Sequence, residues 1–439
     1  MEKSLITLIL FLFTLPVNAK YTPGLGDLSC GQEGQKRCTF LSQEFWLQGS
    51  GGCDRGLKSI KGKCHQGKRN SLKDHSWTTK TIKFQRELQS NLPINQVSFL
   101  WIHNSYNNRK DGYTFPNHKY SLTDLLDLGA RVFELDIHLI GKRLRLCHGE
   151  YNHLGCSLLD RLYFNIIEEF NLWIRKKENQ NEVVILKIQN QSDGRKDLLE
   201  RPLNHHLKDL ILQKSDLKTD RYPTLNEIRE AGKRVMILDG PFSYSFSKKG
   251  KRTKIKQFDE KLCQFTDEQG EEVLWKHDPT FNKGLSDNWQ SVHWDATNIL
   301  GFYNGEKETG KITPQLVRKL VECNITALEI DMMSLAHARE FIWTWEKGEP
   351  KNWGRNKRCA VINKNGRWQS EDCKKSLPFA CQDQKNKGLW KITRYRGSFN
   401  EGKTACQRGK HFAHPQNGWE NARLYKNNSF SKAWINLKG

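Results

Sequence analysis

"RVFELDIHL", Arg131–Leu139, alternates without a break. In an extended chain, Phe133, Leu135, Ile137 and Leu139 share one face, and Val132, Glu134, Asp136 and His138 share the other. The first face suits packing beneath helices. The second carries two carboxylates and a histidine inward, and buried carboxylates are costly unless paired or bound to a cation. "VVILKIQN", Val183–Asn190, repeats the arrangement, with Val184, Leu186 and Ile188 opposite Lys187 and Gln189. "ALEIDMM", Ala327–Met333, sets Glu329 and Asp331 together. A structural ion pair would account for any one of these strands; three charged inner faces are harder to explain that way.

The segments between the strands read as capped helices. Ser121 and Asp124 open "SLTDLLDLG" and Gly129 closes it; Thr224 and Glu227 open "TLNEIREAG" and Gly232 closes it. Ser157 and Asp160 are expected to open the helix through "RLYFNIIEEFNLWIRKK". Alternation of strand and helix from about Thr81 to Leu335 gives an α/β fold with a parallel sheet, and the length fits a (β/α) barrel of the TIM type. Sites in such barrels gather at the C-terminal ends of the strands. "FLWIHNSYN", Phe99–Asn107, is a strand that stops at His103, and "RLRLCHGE", Arg143–Glu150, is one that stops at His148. His103, Glu134, Asp136, His148 and Gln189 would then meet on one rim. Two histidines beside a carboxylate pair suit general base and general acid chemistry around a hard cation. Lys142, Arg143 and Arg145 follow the carboxylate strand, as a surface for anionic headgroups or as a solvated hairpin.

The 439 residues exceed one ordinary core. Residues 1–19 read as a secretory signal, with Lys3, an apolar run from Leu5 to Leu15 and a small-residue cleavage site at Val17-Asn18-Ala19. Residues 20–80 read as a Cys-rich module containing Cys30, Cys38, Cys53 and Cys64, residues 81–338 as the barrel, and residues 339–439 as a further domain. All 12 cysteines follow the signal, which suggests disulfides in a secreted, extracellular protein. The mean hydropathy is -0.74 and the net charge +22. That charge favours phospholipid surfaces, acidic glycans or extracellular nucleic acid and does not choose among them.

"HNSYN", "FELDIH", "LCHG" and "PTLNEIREAGKRV" together resemble the X-type catalytic domain of phosphatidylinositol-specific phospholipases C, over roughly Leu92 to Leu335. The resemblance implies cleavage of the glycerol–phosphate bond of phosphatidylinositol or of a glycosyl-phosphatidylinositol anchor at a membrane, through a cyclic phosphate, with no nucleic-acid partner. It implies that His103 lies beside the phosphate and the inositol 2-hydroxyl, that His148 protonates the leaving oxygen, and that Asp331 orients His103. It gives Lys187 a phosphate-binding role. It makes Asn104, Glu134, Asp136 and Gln189 the ligands of a calcium ion, with one departure: the calcium-dependent pattern has glutamate where Gln189 stands, so a charge is missing. Secreted sphingomyelinases D and glycerophosphodiesterases share the barrel but carry a different first motif. A catalytically inactive binding protein is the alternative from another class.

The C-terminal stretch resembles a C-type lectin domain of α+β type with its halves in reversed order. Trp343, Gly348-Glu349-Pro350, Trp353, Cys359, Trp368, Cys373, Pro378-Phe379 and Cys381 carry the second half; "GKTACQRGKHFAHPQNGWENARL" and "KAWINLKG" follow as the first. Circular permutation implies bridges Cys359–Cys373 and Cys381–Cys406, and leaves Cys263 and Cys323 to be placed. The family's calcium and sugar ligands are replaced at Lys351 and at Gln369-Ser370, so a protein or an anionic glycan is the expected ligand. Asn324-Ile325-Thr326 and Asn427-Asn428-Ser429 are glycosylation sequons.

Overall fold

The structure, a computed structural model, describes residues 75–113, 116–148, 155–217, 221–238, 241–243, 291–294, 313–354 and 358–439, together with residues 30, 35–37, 53 and 58–65. The expected signal, Cys38 and Cys263 lie outside these residues. In the amino-terminal part, strands β1 (Lys58–Ile60) and β2 (Lys63–His65) form a hairpin tied by Cys53–Cys64. Cys30 and Cys323 are also disulfide-bonded.

Helix α1 (Ser76–Leu88) leads into the main sheet. Its strands are β3 (Phe99–Ile102), β4 (Val132–Ile140), β6 (Val184–Gln191), β7 (Val235–Leu238), β8 (Ser291–Trp294) and β9 (Ala327–Ile330). All pair in parallel, in the order β7-β6-β4-β3-β9-β8, and β5 (Arg143–Leu146) folds back antiparallel on β4. Helices α2 (Leu122–Leu128), α3 (Tyr163–Ile174), α4 (Lys196–His206), α5 (Leu225–Glu230) and α6 (Pro314–Glu322) lie between the strands. This is the strand–helix alternation of a (β/α) barrel.

The alternation read from the sequence sorts the two faces. Leu100, Phe133, Leu135, Ile137, Leu186, Ile188 and Ile330 pack outward with helix residues such as Leu125, Ile166 and Phe170. Each such side chain stabilises the fold by about 1.5–3 kcal/mol when buried. Inward, the lower layer is apolar, with Phe99, Trp101, Val132, Ile185, Met236 and Ala327 in one cluster. Two or four residues further along β4, β6 and β9 the inward positions become Glu134, Asp136, Lys187 and Glu329. These three strands thus run from a dry end to a polar end.

Two helices start as their caps indicate: Ser121 with Asp124, and Thr224 with Glu227, form reciprocal capping boxes. The third does not. Helix α3 begins at Tyr163 with no side-chain cap, because residues before it run beside β5. There the Asp160 carboxylate accepts from the Ser157 N–H, Arg145 donates to the Asp160 carbonyl, and the Leu146 N–H donates to the Arg161 carbonyl. Arg143 and Arg145 are likewise buried rather than presented to a headgroup or to solvent, and only Lys142 is exposed. Asn324 is buried at 7% exposure, so the folded chain withholds this sequon, whereas Asn427 is exposed.

After α7 (Leu335–Phe341) comes a second sheet, built from β10 (Arg358–Asn363), β11 (Trp368–Asp372), β12 (Leu377–Asp383), β13 (Trp390–Gly397), β14 (Lys410–Phe412) and β15 (Lys432–Lys438). Short helix α8 (Gly402–Ala405) and α9 (Gly418–Lys426) fall between the later strands. The order is β11-β10-β15-β12-β13, with β14 on β12. The last strand of the chain, β15, therefore lies centrally, antiparallel to β10 and parallel to β12. That is the placement reversed halves require. Bridges Cys359–Cys373 and Cys381–Cys406 are both present.

The second sheet is docked on the barrel helices. Trp77 of α1 donates to the Glu349 carbonyl at 2.7 Å, and Phe84 meets Trp345 with ring centroids 5.4 Å apart. Gln85 donates to the Phe341 carbonyl and accepts from the Trp343 N–H. Gly418 opens α9 directly against α6, where a Cβ would sit 2.5 Å from Val321 Cγ1 and 2.6 Å from the Val321 carbonyl oxygen. Asn421 closes the layer: it donates to the Trp343 and Gly366 carbonyls and accepts from Trp368 Nε1 at 2.9 Å. Asn421→Ala orphans all three partners and is expected to cost about 2–4 kcal/mol. Urea unfolding followed by tryptophan fluorescence checks this; an unshifted midpoint contradicts it.

Candidate active site

His103 follows the last residue of β3 and Asp331 the last of β9, two strands paired side by side. His103 Nδ1 lies 3.0 Å from Asp331 Oδ1, and Asn117 donates to Asp331 Oδ2 at 2.8 Å. A ring nitrogen of buried His118 bonds the His103 carbonyl at 2.6 Å, and burial lowers the His118 pKa. The residue after each strand-end partner, Asn104 and Met332, has a left-handed backbone, with φ 44° and 52°. Asparagine tolerates that region; methionine does so rarely, and its N–H is held by the Asn117 carbonyl.

The other nitrogen of His103 faces Glu134 and Asn104. His103 Nε2 is 3.4 Å from Glu134 Oε2 and 3.2 Å from Asn104 Nδ2. The same Asn104 nitrogen is 2.7 Å from His148 Nδ1, and the two imidazole rings are 6.5 Å apart. Asn104 therefore spans the two histidines. His148 reaches this point from the β4–β5 hairpin rather than from a barrel strand, and Cys147–Cys156 pins the turn behind it. His138 lies near the sulfurs of that bridge, which as a disulfide offers no thiolate to a metal.

Cross-strand register brings the charged partners together: Glu134 lies opposite Lys187, and Asp136 opposite Gln189. Lys187 Nζ is 2.8 Å from Glu134 Oε1 and 3.8 Å from Glu329, and it sits over the Trp101 ring. Burial works against this ammonium, but Glu329 and Glu134 outweigh it and raise its pKa. Its charge is thus committed to carboxylates, and it would meet a phosphate only alongside Glu134. Gln189 directs its amide nitrogen at Glu134 Oε1, so it would have to turn its oxygen inward to act as a ligand.

Asp136 differs. Its Oδ2 accepts from the Tyr106 hydroxyl at 3.1 Å, while Oδ1 is buried without a hydrogen-bond partner. Burial first, and Glu134 second, push its carboxyl up to about 8. Tyr106 also donates to Asn104 Oδ1 at 2.9 Å, so oxygens of Asn104 and Asp136 converge on one hydroxyl. Glu134, Asp136, Glu329 and Asp331 outnumber Lys187 in this interior, and one carboxylate oxygen lacks a donor. The donor set fits a hard cation through Asn104, Glu134 and Asp136.

Sequence reasoning overlooked Tyr106, Asn117, His118 and Arg161. Tyr106 stands inside the quoted "HNSYN"; Asn117 and His118 lie in a loop without periodicity. Arg161, fully buried, joins Asp111 at 2.8 Å to Glu169 at 2.6 Å beneath the His148 hairpin. In the second sheet, Glu349 Oε2 accepts from the Ser370 hydroxyl, the Ser370 N–H and the Lys351 N–H, and Gln369 donates to Glu346.

Residues 60–198 match the family model described as the Rv2075c PI-PLC-like domain, and residues 326–383 match the lectin C-type domain. The chain carries a PI-PLC-like domain followed by a C-type lectin domain. The PI-PLC-like part is that of a phosphodiesterase-type enzyme. The lectin match begins one residue before β9, so it overlaps the last strand of the barrel sheet. The uncharacterized protein Rv2075c of Mycobacterium tuberculosis is 24% identical over 390 residues, covering 80% of this chain and 77% of its own length. Among solved structures, the phosphatidylinositol-specific phospholipase C of Listeria monocytogenes is 18% identical, with a TM-score of 0.36, covering 59% of this chain and 97% of its own. A variant of the Staphylococcus aureus enzyme is 9% identical, with a TM-score of 0.37, covering 60% and 98%.

Removing the cation between Asp111 and Glu169 leaves two buried carboxylates unpaired. Arg161→Met is expected to lose about 3–5 kcal/mol of stability, and Arg161→Met with Asp111→Asn and Glu169→Gln to regain part of it. Thermal unfolding of the two variants checks the order; the same midpoint in both would remove the ion pairs as the cause.

Proposed function

We propose that this protein is a secreted phosphoric diester lyase or hydrolase that cleaves phosphatidylinositol or glycosyl-phosphatidylinositol headgroups by acid–base catalysis between His103 and His148. The observation that carries the reading is the pair of imidazoles 6.5 Å apart, spanned by Asn104, with Asp331 on the far nitrogen of His103. Asp331 fixes the His103 ring through Nδ1, leaving Nε2 to take the proton from the attacking inositol 2-hydroxyl. As the 2-oxygen bonds to phosphorus, the bond from phosphorus to the glycerol oxygen breaks, and His148 gives that oxygen its proton. The products are an inositol cyclic phosphate and diacylglycerol.

A bound calcium ion would supply positive charge to the phosphoryl oxygens, held by Asn104, Glu134 and Asp136, with Gln189 adding its amide oxygen after turning. Lys187 holds Glu134 in place at 2.8 Å. A membrane surface is the natural substrate carrier, and the disulfides suit an extracellular setting.

Incubation of purified protein with phosphatidylinositol vesicles tests the reaction, with phosphorus NMR as the readout. Wild type is expected to release the cyclic phosphate, and His103→Ala and His148→Ala each to lose about 10²–10⁴-fold in kcat. No cyclic phosphate with any divalent cation refutes the reading, and release of choline or free glycerophosphate from other lipids favours the related diesterases.

The metal assignment has a readout of its own. The folded pKa of Asp136 lies above its unfolded value of 3.8, so its contribution to stability is complete below that pH and is lost as pH rises through about 8. In chelator at pH 8.5, Asp136→Asn is expected to melt higher than wild type, with the gap closing towards pH 4. Added calcium should raise the wild-type midpoint and leave that of Asp136→Asn unchanged. Equal calcium shifts in both proteins would discard Asp136 as a ligand.

A further inference from the structure

A large excess of positive charge lies away from His103 and His148. Residues 339–439 hold twenty-two Lys and Arg against eight Asp and Glu. On this domain, β13 is an edge strand, paired only with β12. Beside it lies a cavity of about 460 Å³, walled by β13, the end of α8 and the start of β14. That volume suits a sugar-sized ligand.

Its lining is chemically specific. Lys391, Arg394 and Lys410 face it, and no carboxylate is among its lining residues. Arg394 is exposed and makes no hydrogen bond or ion pair among the described residues. Lys391 is 3.4 Å from Gln407 Oε1, which leaves the Gln407 amide nitrogen for a ligand hydroxyl. Lys410 is 3.6 Å from Asp383, the one acid within ion-pair distance of these three cations among the described residues. Tyr395 is 52% exposed and stacks on Phe379 at an interplanar angle of 11°, which keeps its ring flat against the wall. The Cys381–Cys406 bridge forms part of the floor and fixes β12 to the end of α8.

We propose that this cavity binds a sulfated glycan. A guanidinium and two ammonium groups suit sulfate or uronate oxygens, with arginine able to grip two at once. A flat aromatic ring suits the face of a pyranose, and the glutamine amide suits a ring hydroxyl. A concave, cation-lined wall favours a discrete anionic sugar over a bilayer, which docks on convex apolar side chains. The site is separate from the Glu349–Ser370 network, and it does not rest on the phosphodiesterase reading.

Calorimetry of the full-length protein with a heparin hexasaccharide in 0.15 M salt tests it, beside the N- and O-desulfated hexasaccharide and vesicles containing phosphatidylserine. Wild type is expected to bind the sulfated sugar and not the desulfated one. Lys391→Ala with Arg394→Ala should weaken binding at least tenfold, whereas Lys176→Ala with Lys177→Ala, an equal charge loss on the barrel, should weaken it less than twofold. Arg394→Gln, a single exposed change, provides a variant that keeps the fold and should weaken binding by several-fold. His148→Ala should bind as wild type does. Equal losses in the two double variants would reduce the effect to net charge and overturn the proposal. So would loss of vesicle binding with retention of the sugar, which would make the cavity a membrane contact.

Discussion

Glu134 is the side chain about which the polar half of the barrel interior is arranged. It is 1% exposed, and a carboxylate there persists only if donors meet both oxygens. Lys187 and Gln189 meet Oε1, while His103 and the Asn104 N–H face Oε2. The groups that satisfy it are therefore the groups to which the proposed chemistry assigns roles. Their meeting depends on the parallel register that sets Glu134 opposite Lys187 and Asp136 opposite Gln189. A slip of β6 by one residue would turn Lys187 and Gln189 beneath the helices and bring Leu186 and Ile188 into the polar interior.

The same register explains what could be read from the chain beforehand. An alternation of period two states which side chains share a face, so the inward placement of Glu134, Asp136 and Lys187 was legible, as were the strand ends at His103 and Asp331. Reciprocal capping boxes at Ser121 and Thr224 are local and were legible too. Ser157 and Asp160 have the same spacing but form no cap, because their backbone is tied to β5, a tertiary contact that local spacing does not encode. Arg145 looked like surface for the same reason: its partner is a carbonyl fifteen residues away. Tyr106 reads as core by type, and only the fold reveals that its hydroxyl joins Asn104 to Asp136.

The lectin-like part shows how a rearranged order can keep its packing. Its core joins Val361, Phe379, Phe399, Phe412 and Trp434, drawn from both halves of the sequence. The closing strand β15 must reach the middle of the sheet for that core to exist, and both ladders it forms are made. The tryptophan and cysteine spacing made the two halves legible. The docking of α1 was not, since Gln85 and Trp343 meet across 258 residues of chain.

On this domain, acidic side chains already met by donors go with an excess of basic ones. A calcium-held sugar needs carboxylate and amide oxygens left free to coordinate. Here the Glu349 carboxylate is hydrogen-bonded to Ser370 and Lys351, and the Glu346 carboxylate to Gln369, so those oxygens already have donors. The domain carries almost three basic residues for each acidic one. Such an excess acts over roughly a Debye length, about 8 Å at physiological salt, and raises encounter with polyanions before any contact forms. The barrel interior has the opposite balance, with carboxylates in excess of Lys187. The two domains of one chain thus carry opposite electrostatic balances: acidic side chains crowd the barrel interior, and basic ones predominate on the lectin-like domain.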